Sequence, residues 1–162
     1  MSSSEKFVWR EGPFTWIASL PKFAKEPNEL FVQTQSPDNP VISRLCEKLL
    51  DIAGNQVVVW FEDNDANLML TSGELIPSQF VVQKTGSPSK CHTNSARLWI
   101  KNPIANRIAT GYGLSDDGMW RHHSWIVNRD GSLTETTVKR LAYFGVILNR
   151  RKSFRFSLSN IF

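Results

Sequence analysis

Apolar residues recur at a helical spacing after Pro40, and they define the clearest element in the sequence. Proline suits the first position of a helix, and Gly54 supplies a stop. Cys46 falls within this apolar stretch, so we expect it in the core. A shorter β-branched and aromatic run at 56–61 predicts a buried strand that ends in the acidic turn at 62–65. The apolar positions of the helix are Val41, Ile42, Leu45, Leu49, Leu50 and Ile52.

The last third of the chain alternates apolar runs with turn signals. Two Asp-Gly turns separate the first three runs, which predicts neighbouring strands that pair in chain order as an antiparallel β-meander. Residues 68–70 and 80–82 are interpreted as short strands or loop pieces. The four predicted strands of the meander are residues 107–114, 119–127, 133–137 and 141–148.

Between these regions, a second helix is predicted from Ser89 to Lys101. Its pattern follows the helical period, and Pro103 ends it. The predicted fold class is therefore α+β, with a helical first half and a helix carrying Cys91 packed on the antiparallel meander.

A single domain is predicted, because 162 residues can bury a sizeable core without disulfides or metals. The hydrophobic content of 41% and the six tryptophans are typical of a globular protein. Along the chain we distinguish an aromatic and proline-rich arm at 1–39, a helix and strand at 40–87, a core at 88–148 and a basic tail at 149–162.

Composition narrows the expected cellular location and partners of the protein. No apolar run reaches the ~20 residues of a membrane span, and no signal peptide is visible, so we expect a cytoplasmic protein with no membrane partner. In that compartment Cys46 and Cys91 are expected as two reduced thiols. The net charge of +4 is concentrated at 150–152 and Arg155. A solvated basic tail explains it better than a nucleic-acid role, and no nucleic-acid partner is expected.

Cys91 opens the second helix and is the first candidate for chemistry. With Ser89 as the N-cap, the thiol falls at about the second helical position, where unpaired amide groups and the helix dipole lower its pKa. Lys90 adds a positive charge beside it. The alternative is a small buried residue at a helix start, and position alone does not separate the two.

Two adjacent histidines, His122 and His123, lie on the predicted strand at 119–127. Neighbours on a strand point to opposite faces, so only one can face Cys91. A three-residue loop with Gly131 in the left-handed conformation places Glu135 opposite Trp125 and diagonal to His123 on one face. A two-residue loop places Glu135 on the face of His122 instead, and the loop sequence leaves this choice open.

The order of these residues resembles the papain-like superfold, and particularly its transglutaminase-like branch. The matching segments are His123-Ser124-Trp125, a hairpin turn, and Glu135-Thr136-Thr137. The Cys-His-x-Asn segment from Cys91 to Asn94 is also similar to small uncharacterised bacterial and phage proteins. The resemblance covers residues 88–148, and it implies a triad of Cys91, His123 and Glu135, with glutamate where the family usually has aspartate or asparagine.

That resemblance implies a thiol hydrolase or acyltransferase that acts on amide or ester bonds through an acyl-enzyme. Its expected partner is a peptide or another amide-containing substrate. The Cys91 backbone amide is one candidate oxyanion donor, and Gln83 or Asn94 is the second. Asn94 has an equal alternative, which is to bond the loop before the helix. The competing function is a non-catalytic module that binds protein or nucleic acid.

No metal or other cofactor is expected. Cys91, His92, His122 and His123 are potential zinc ligands, but adjacent strand residues point apart and the usual ligand spacing is absent. His92 is interpreted as an auxiliary or surface residue. Tryptophans 99, 120 and 125 and Tyr143 are either core or the wall of a cleft, with core the default. Glycines 111 and 113 indicate either tight packing or close approach to a substrate.

Overall fold

The computed structural model describes residues 20, 39–58 and 65–162. Most of the aromatic arm at 1–39, the second half of the predicted strand at 56–61 and most of the acidic turn lie outside the described residues. In chain order the elements are α1 (Pro40–Ile52), β1 (Gln56–Val58), α2 (Ala66–Ser72), β2 (Glu74–Pro77), a 3₁₀ turn (Ser78–Phe80), β3 (Val81–Gln83), α3 (Cys91–Lys101), β4 (Arg107–Leu114), β5 (Met119–Val127), β6 (Leu133–Glu135), β7 (Ala142–Ile147) and α4 (Arg150–Ile161).

Helix α1 confirms the strongest prediction from the sequence. Asn39 caps it, because its side-chain oxygen accepts hydrogen bonds from the Val41 and Ile42 amides at 3.1 and 3.3 Å. The helix buries one apolar face, in which Cys46 is fully enclosed as expected. It ends at Ile52, and Gly54 then takes a positive φ of 83° that suits glycine.

The strands form one mixed sheet in the order β2-β7-β4-β5-β6-β3, with β1 paired to β5. The α+β class is confirmed, but the antiparallel meander is wrong in two respects. Strand β7 pairs with β4 and not with β6, and the pairs β1–β5 and β3–β6 are parallel. Alternating apolar residues specify which face of a strand is buried, and they do not specify its neighbour.

Strand β5 lies between β4 on one edge and two shorter strands on the other. Strand β4 pairs with residues 120–127, while β1 pairs with residues 119–121 and β6 with residues 126–127. The first turn of α3 contacts β5 here, and this is where the candidate site lies.

Two apolar clusters cover the two faces of the sheet. The larger one joins α1, α2 and Trp99 of α3 to residues such as Ile108, Tyr112 and Ile126. The smaller one contains Trp125 and lies on the opposite face. His123 shares the face of Trp125, while Ser124 and His122 share the face that α3 covers.

Several short elements differ from the predictions. Helix α2 replaces the strand or loop expected at 68–70, because so short an apolar run does not distinguish helix from strand. Residues 80–82 span the end of the 3₁₀ turn and the start of β3. Helix α3 begins at Cys91 and not at Ser89, whose φ of 57° is left-handed and lies outside a helix.

The basic tail predicted at 149–162 is a helix. Asn149 caps α4 by accepting the Lys152 amide at 2.9 Å, and the helix packs on α3. Its buried positions include Ser153 and Ser157. Because these residues are polar, the apolar periodicity that predicts a helix from sequence is weak in α4. None of the helices in the described ranges is long and apolar enough to cross a membrane.

Candidate active site

Cys91 is the first residue of α3 and is 9% exposed. Lys90 precedes it as the N-cap and makes no side-chain capping bond, so the predicted Ser89 cap is wrong by one residue. The first amides of a helix have no intrahelical partner, and the dipole is positive there. The sulfur therefore lies where a negative charge is stabilised.

The hairpin after β5 has the three-residue loop that selects His123. Gly131 has a φ of 85°, and the Asn128 amide bonds the Ser132 carbonyl at 2.9 Å across the loop. The resulting register pairs Ile126 with Thr134, and its extension places Trp125 opposite Glu135. The predicted register is confirmed, and the alternative with Glu135 on the face of His122 is excluded.

His123 and Glu135 are joined by a short hydrogen bond in the interior. His123 Nε2 lies 2.7 Å from Glu135 Oε2, and the two side chains are 1% and 0% exposed. This contact occupies one ring nitrogen, which leaves Nδ1 for the thiol. The pairing fixes both the ring orientation and the nitrogen that faces Cys91.

The Glu135 carboxylate accepts five hydrogen bonds. Its Oε1 atom receives the Thr136 amide, the Thr137 amide and the Thr137 hydroxyl at 2.8, 2.8 and 2.9 Å. Its Oε2 atom receives His123 and, at 3.0 Å, the Tyr143 hydroxyl. Burial raises the pKa of Glu135. The bond to His123, the charge of His123 and the two bonds from Thr137 lower it by more, so the pKa of Glu135 is below its ordinary value. The carboxylate is therefore held charged and immobile.

The thiol of Cys91 is hydrogen-bonded to both His123 and His92. Burial raises the pKa of Cys91, but the His123 and His92 bonds and the positive charge of both rings outweigh it and bring the pKa down to about 5. For His123, burial lowers the pKa, while bonds to Cys91 and Glu135 raise it more, so its net shift is upward. These opposite shifts favour a thiolate and an imidazolium at neutral pH.

His92 is partly buried beside Cys91, which fits the auxiliary one of its two predicted placements. Its Nδ1 atom is 2.6 Å from the Ser124 hydroxyl oxygen, and that hydroxyl donates to Thr110 Oγ1 at 3.2 Å. The neighbouring His122 ring is 4.8 Å from the His92 ring. Burial, followed by the charges of His92 and His123, lowers the pKa of His122 to about 3, so His122 stays neutral.

Asn94 bonds the loop before α3, which is one of its two predicted roles. Its amide nitrogen donates to the Ser87 carbonyl at 2.9 Å, and its oxygen accepts the Ser87 amide at 3.3 Å. Gly86 continues this connection by donating to the Thr136 carbonyl at 2.8 Å. Because both ends of the Asn94 amide are bound to Ser87, its observed role is to anchor the loop before α3.

Gln83 lies on β3 in register with Glu135. Its side chain is exposed, and its amide nitrogen donates to the Thr137 carbonyl at 2.7 Å. One amide hydrogen is committed to that bond, and a side-chain amide carries two. Gln83 therefore retains one donor beyond the bond that ties β3 to the chain after β6.

Tyr143 is the residue of the site that sequence reasoning did not assign. It lies on β7, two strands away from β5, and its hydroxyl bonds Glu135 while its ring lies 6.1 Å from that of His123. Gly111 and Gly113 of the intervening β4 carry no side chains on this face, which leaves room for the crossing. In the sequence, these two glycines were the signal that other groups pack closely against β4 here.

Trp99, Trp120 and Trp125 are core residues. They are at most 8% exposed, and the Trp125 ring lies 6.2 Å from the His123 ring at an interplanar angle of 25°. Trp125 therefore covers the His123 ring in the interior, where polar contacts are stronger than in water.

Among the residues that the structure describes, no group of three or more histidine, cysteine, aspartate or glutamate side chains is arranged to hold a metal ion. Compared with family models, curated proteins and solved structures, the chain matches none. The functional argument therefore depends on the site itself.

Proposed function

We propose that this protein is a thiol hydrolase or acyltransferase with a papain-like core of the transglutaminase-like type, acting on amide or ester bonds. The observation that carries the proposal is the continuous line of hydrogen bonds from the Cys91 thiol through His123 to Glu135. The thiol lies at a helix start, the histidine contacts it, and a buried carboxylate orients the histidine. These are the three roles of a nucleophile, its base and an orienting group.

In the proposed reaction, the Cys91 thiolate attacks a substrate carbonyl and forms a tetrahedral intermediate. Its oxyanion is bonded by the Cys91 backbone N–H and by the second amide N–H of Gln83. The intermediate collapses to a thioester as the imidazolium of His123 gives its proton to the leaving amine or alcohol. Neutral His123 then takes a proton from water or an acceptor amine, which attacks the thioester and releases the thiolate.

Amide hydrolysis is the default form of this reaction, with a peptide or another amide-containing compound as substrate. Deamidation and transamidation proceed through the same acyl-enzyme and differ in the leaving group or the acceptor. Glu135 takes no proton in any of these steps. It keeps the His123 ring in position and stabilises its charged form.

One observation favours a second candidate, a binding module without catalysis. Helix α4 exposes Phe154 at 56% and Leu158 at 45%, beside the exposed cations Arg151 and Arg155. Apolar and basic side chains together on one surface are typical of a surface that binds an anionic partner. Under this alternative Cys91 would show no special reactivity.

Thiol labelling separates the two candidates. The rate of iodoacetamide labelling at Cys91 and at Cys46 is measured near neutral pH by mass spectrometry of the full chain. The enzyme proposal expects Cys91 to react much faster, with a steep fall in the His123→Ala variant and little change in His122→Ala. Equal slow labelling of both cysteines would rule out the thiol enzyme.

Substrate screening gives a direct test of activity. Peptide and amide libraries are incubated with the native protein and with Cys91→Ala, and an increase in the mass of Cys91-containing peptides reports the acyl-enzyme. Turnover that depends on Cys91 supports the proposal. The same products with both proteins would favour the binding module.

A further inference from the structure

A second hydrogen-bonded arm reaches the thiol from the sheet face opposite His123. It runs from Thr110 to Ser124 and on to His92, over distances of 3.2 and 2.6 Å, and His92 hydrogen-bonds the Cys91 thiol. Ser124 and Thr110 are 0% and 3% exposed. The arm is therefore built into the core and is not a surface contact.

Packing also fixes the His92 ring. It lies 4.8 Å from the ring of His122 on β5 and 5.8 Å from the ring of Phe156 on α4. Next to it, the Thr93 hydroxyl donates to the Asn160 carbonyl of α4 at 3.0 Å. Contacts with two elements, β5 and α4, thus hold the imidazole in place beside Ser124 and the thiol.

The two arms start from consecutive residues of β5. His123 and Ser124 point to opposite faces of the sheet. The first turn of α3 meets both residues, Ser124 through His92 and His123 through Cys91.

We propose that His92, held by Ser124, is a positioning residue that binds the Cys91 sulfur from its second side. This role rests on the proposed function, and it gives the ionised sulfur a hydrogen-bond partner that is independent of His123. The sulfur is thereby kept ionised and held in one orientation between two imidazoles. Ser124 supplies the orientation of His92 in the way that Glu135 supplies that of His123.

The charged and titratable surroundings are compatible with this role. Burial raises the pKa of the thiol, and bonds to His123 and His92 together bring it down to about 5. The part of α4 that packs against His92 brings the uncharged Phe156 and Asn160. Among the described residues, the titratable or charged groups around the site include His122 and His123 from β5, Tyr112 from β4 beside His122, Glu135 from β6 and Tyr143 from β7 beside His123, and the exposed Lys90 before the helix.

The pH profile of Cys91 alkylation tests the proposal without a substrate. Iodoacetamide rates at Cys91 are measured from pH 4 to 9 on the full chain. His92→Phe keeps the ring packing and removes the donors, and it is expected to raise the midpoint by at least about one pH unit, which is a roughly tenfold loss of thiolate at pH 4, the acid end of the range. Ser124→Ala is expected to raise it less, in the same direction.

Matched variants make the result specific. His122→Phe is the same ring exchange at the neighbouring ring, and it is expected to leave the midpoint where it is. His92→Gln restores a donor without a charge, so part of the shift should return. The double variant His92→Phe/His123→Ala should titrate like an ordinary thiol, at about 8.5, with His123→Ala alone between that value and the native one.

Two outcomes would overturn the inference and remain distinct from failure of the proposed function. If His92→Phe and His92→Gln both leave the midpoint within about 0.3 pH unit of the native value while His123→Ala shifts it, His92 has no such role and the thiol enzyme stands. If the native thiol itself titrates like an unperturbed cysteine, both proposals fall. Should His92→Phe not fold, Ser124→Ala and His92→Gln decide by the same criterion.

Discussion

His123 Nε2 lies 2.7 Å from Glu135 Oε2 although the two residues are not opposite each other on β5 and β6. The hydrogen bond runs diagonally between the strands, and the extra methylene of glutamate spans that diagonal. The length of the glutamate side chain also lets Oε1 accept hydrogen bonds from the Thr136 and Thr137 amides where the chain leaves β6. Glutamate is therefore suited to this position in a way that aspartate is not.

Shortening Glu135 should separate its two tasks. In Glu135→Asp the carboxylate cannot reach His123 and the two threonine amides together, so we expect the midpoint of Cys91 alkylation to rise by about one pH unit and stability to fall by about 1–3 kcal/mol. Alkylation profiles and urea denaturation measure the two effects. Glu135→Gln is the matched control for charge, and an unchanged profile in both variants would contradict the orienting role.

Replacing Tyr143 with phenylalanine tests the bond that crosses β4. Tyr143→Phe keeps the ring but removes the donor to Glu135 Oε2 and the acceptor of the Arg140 amide at 3.0 Å. We expect a stability loss of about 1–3 kcal/mol, because the buried Glu135 carboxylate loses a donor and the partly buried Arg140 amide loses its acceptor. Urea denaturation measures it. A neutral result would mean that water replaces the hydroxyl.

Replacing Asn94 with alanine tests whether its side chain anchors the loop or donates to the oxyanion. Asn94→Ala removes both bonds to Ser87, so we expect a stability loss of about 1–3 kcal/mol and faster proteolysis within residues 84–90. Activity at saturating substrate should fall only a few-fold. A loss of about 10²–10³ in kcat with unchanged stability is typical of a missing oxyanion donor. That result would assign Asn94 to the oxyanion site.

The ion pair predicts how stability depends on pH. The pKa of Cys91 is about 5 in the folded chain and 9.0 as the ordinary value, so from pH 5 upward only the unfolded chain holds the thiol proton and stability rises by about 1.4 kcal/mol per pH unit. The pKa of His123 is raised above 6.5, so above pH 6.5 the folded chain holds a proton that the unfolded chain has lost. This second effect opposes the first.

We therefore expect stability to rise between pH 5 and 6.5 and then to level off. The lowered pKa of Glu135 adds stability that is lost as pH falls below its ordinary value of 4.5. Urea denaturation at half-unit intervals of pH measures the curve. The pKa of His122 is lowered to about 3, so between pH 3 and 6.5 only the unfolded chain holds its proton, and this also makes stability rise with pH. In Cys91→Ala the slope between pH 5 and 6.5 should therefore fall by about 1.4 kcal/mol per pH unit without vanishing. An unchanged slope in that variant would assign the rise to other groups.

Gly111 and Gly113 should tolerate alanine differently. A Cβ at Gly111 would meet the Phe144 carbonyl oxygen and the Gly145 backbone, which cannot move without separating β4 from β7. A Cβ at Gly113 would meet first the side chain of Arg140, which can rotate. We expect Gly111→Ala to cost several kcal/mol and Gly113→Ala about 1–3 kcal/mol, measured by thermal unfolding. Equal costs would contradict the packing argument.

Part of the candidate site could be predicted from the sequence. Cys91 opens a helical pattern, and His123 begins the His-Ser-Trp segment that carries the resemblance. The loop sequence alone leaves open which histidine shares a face with Glu135, and the three-residue loop ending in Gly131 decides this in the structure. Tyr143 could not be assigned, because its contact depends on β7 pairing with β4. Such a pairing is a choice among neighbours, and the alternation of apolar residues contains no information on it.

Helix boundaries and helix α4 were missed for a different reason. The serines buried between α3 and α4 are small and polar, so the helix shows little apolar periodicity. Ser89 has a good capping side chain but a left-handed backbone, which a propensity argument does not reveal. Tertiary packing therefore determines both the formation of α4 and the first residue of α3, and local sequence preferences specify neither.

The first turn of α3 also connects two other parts of the fold. His92 contacts Ser124 of β5, and the Thr93 hydroxyl donates to the Asn160 carbonyl of α4. The turn that carries the thiol is therefore also a junction between the sheet and α4, so that loosening it would expose the sulfur and detach α4 together.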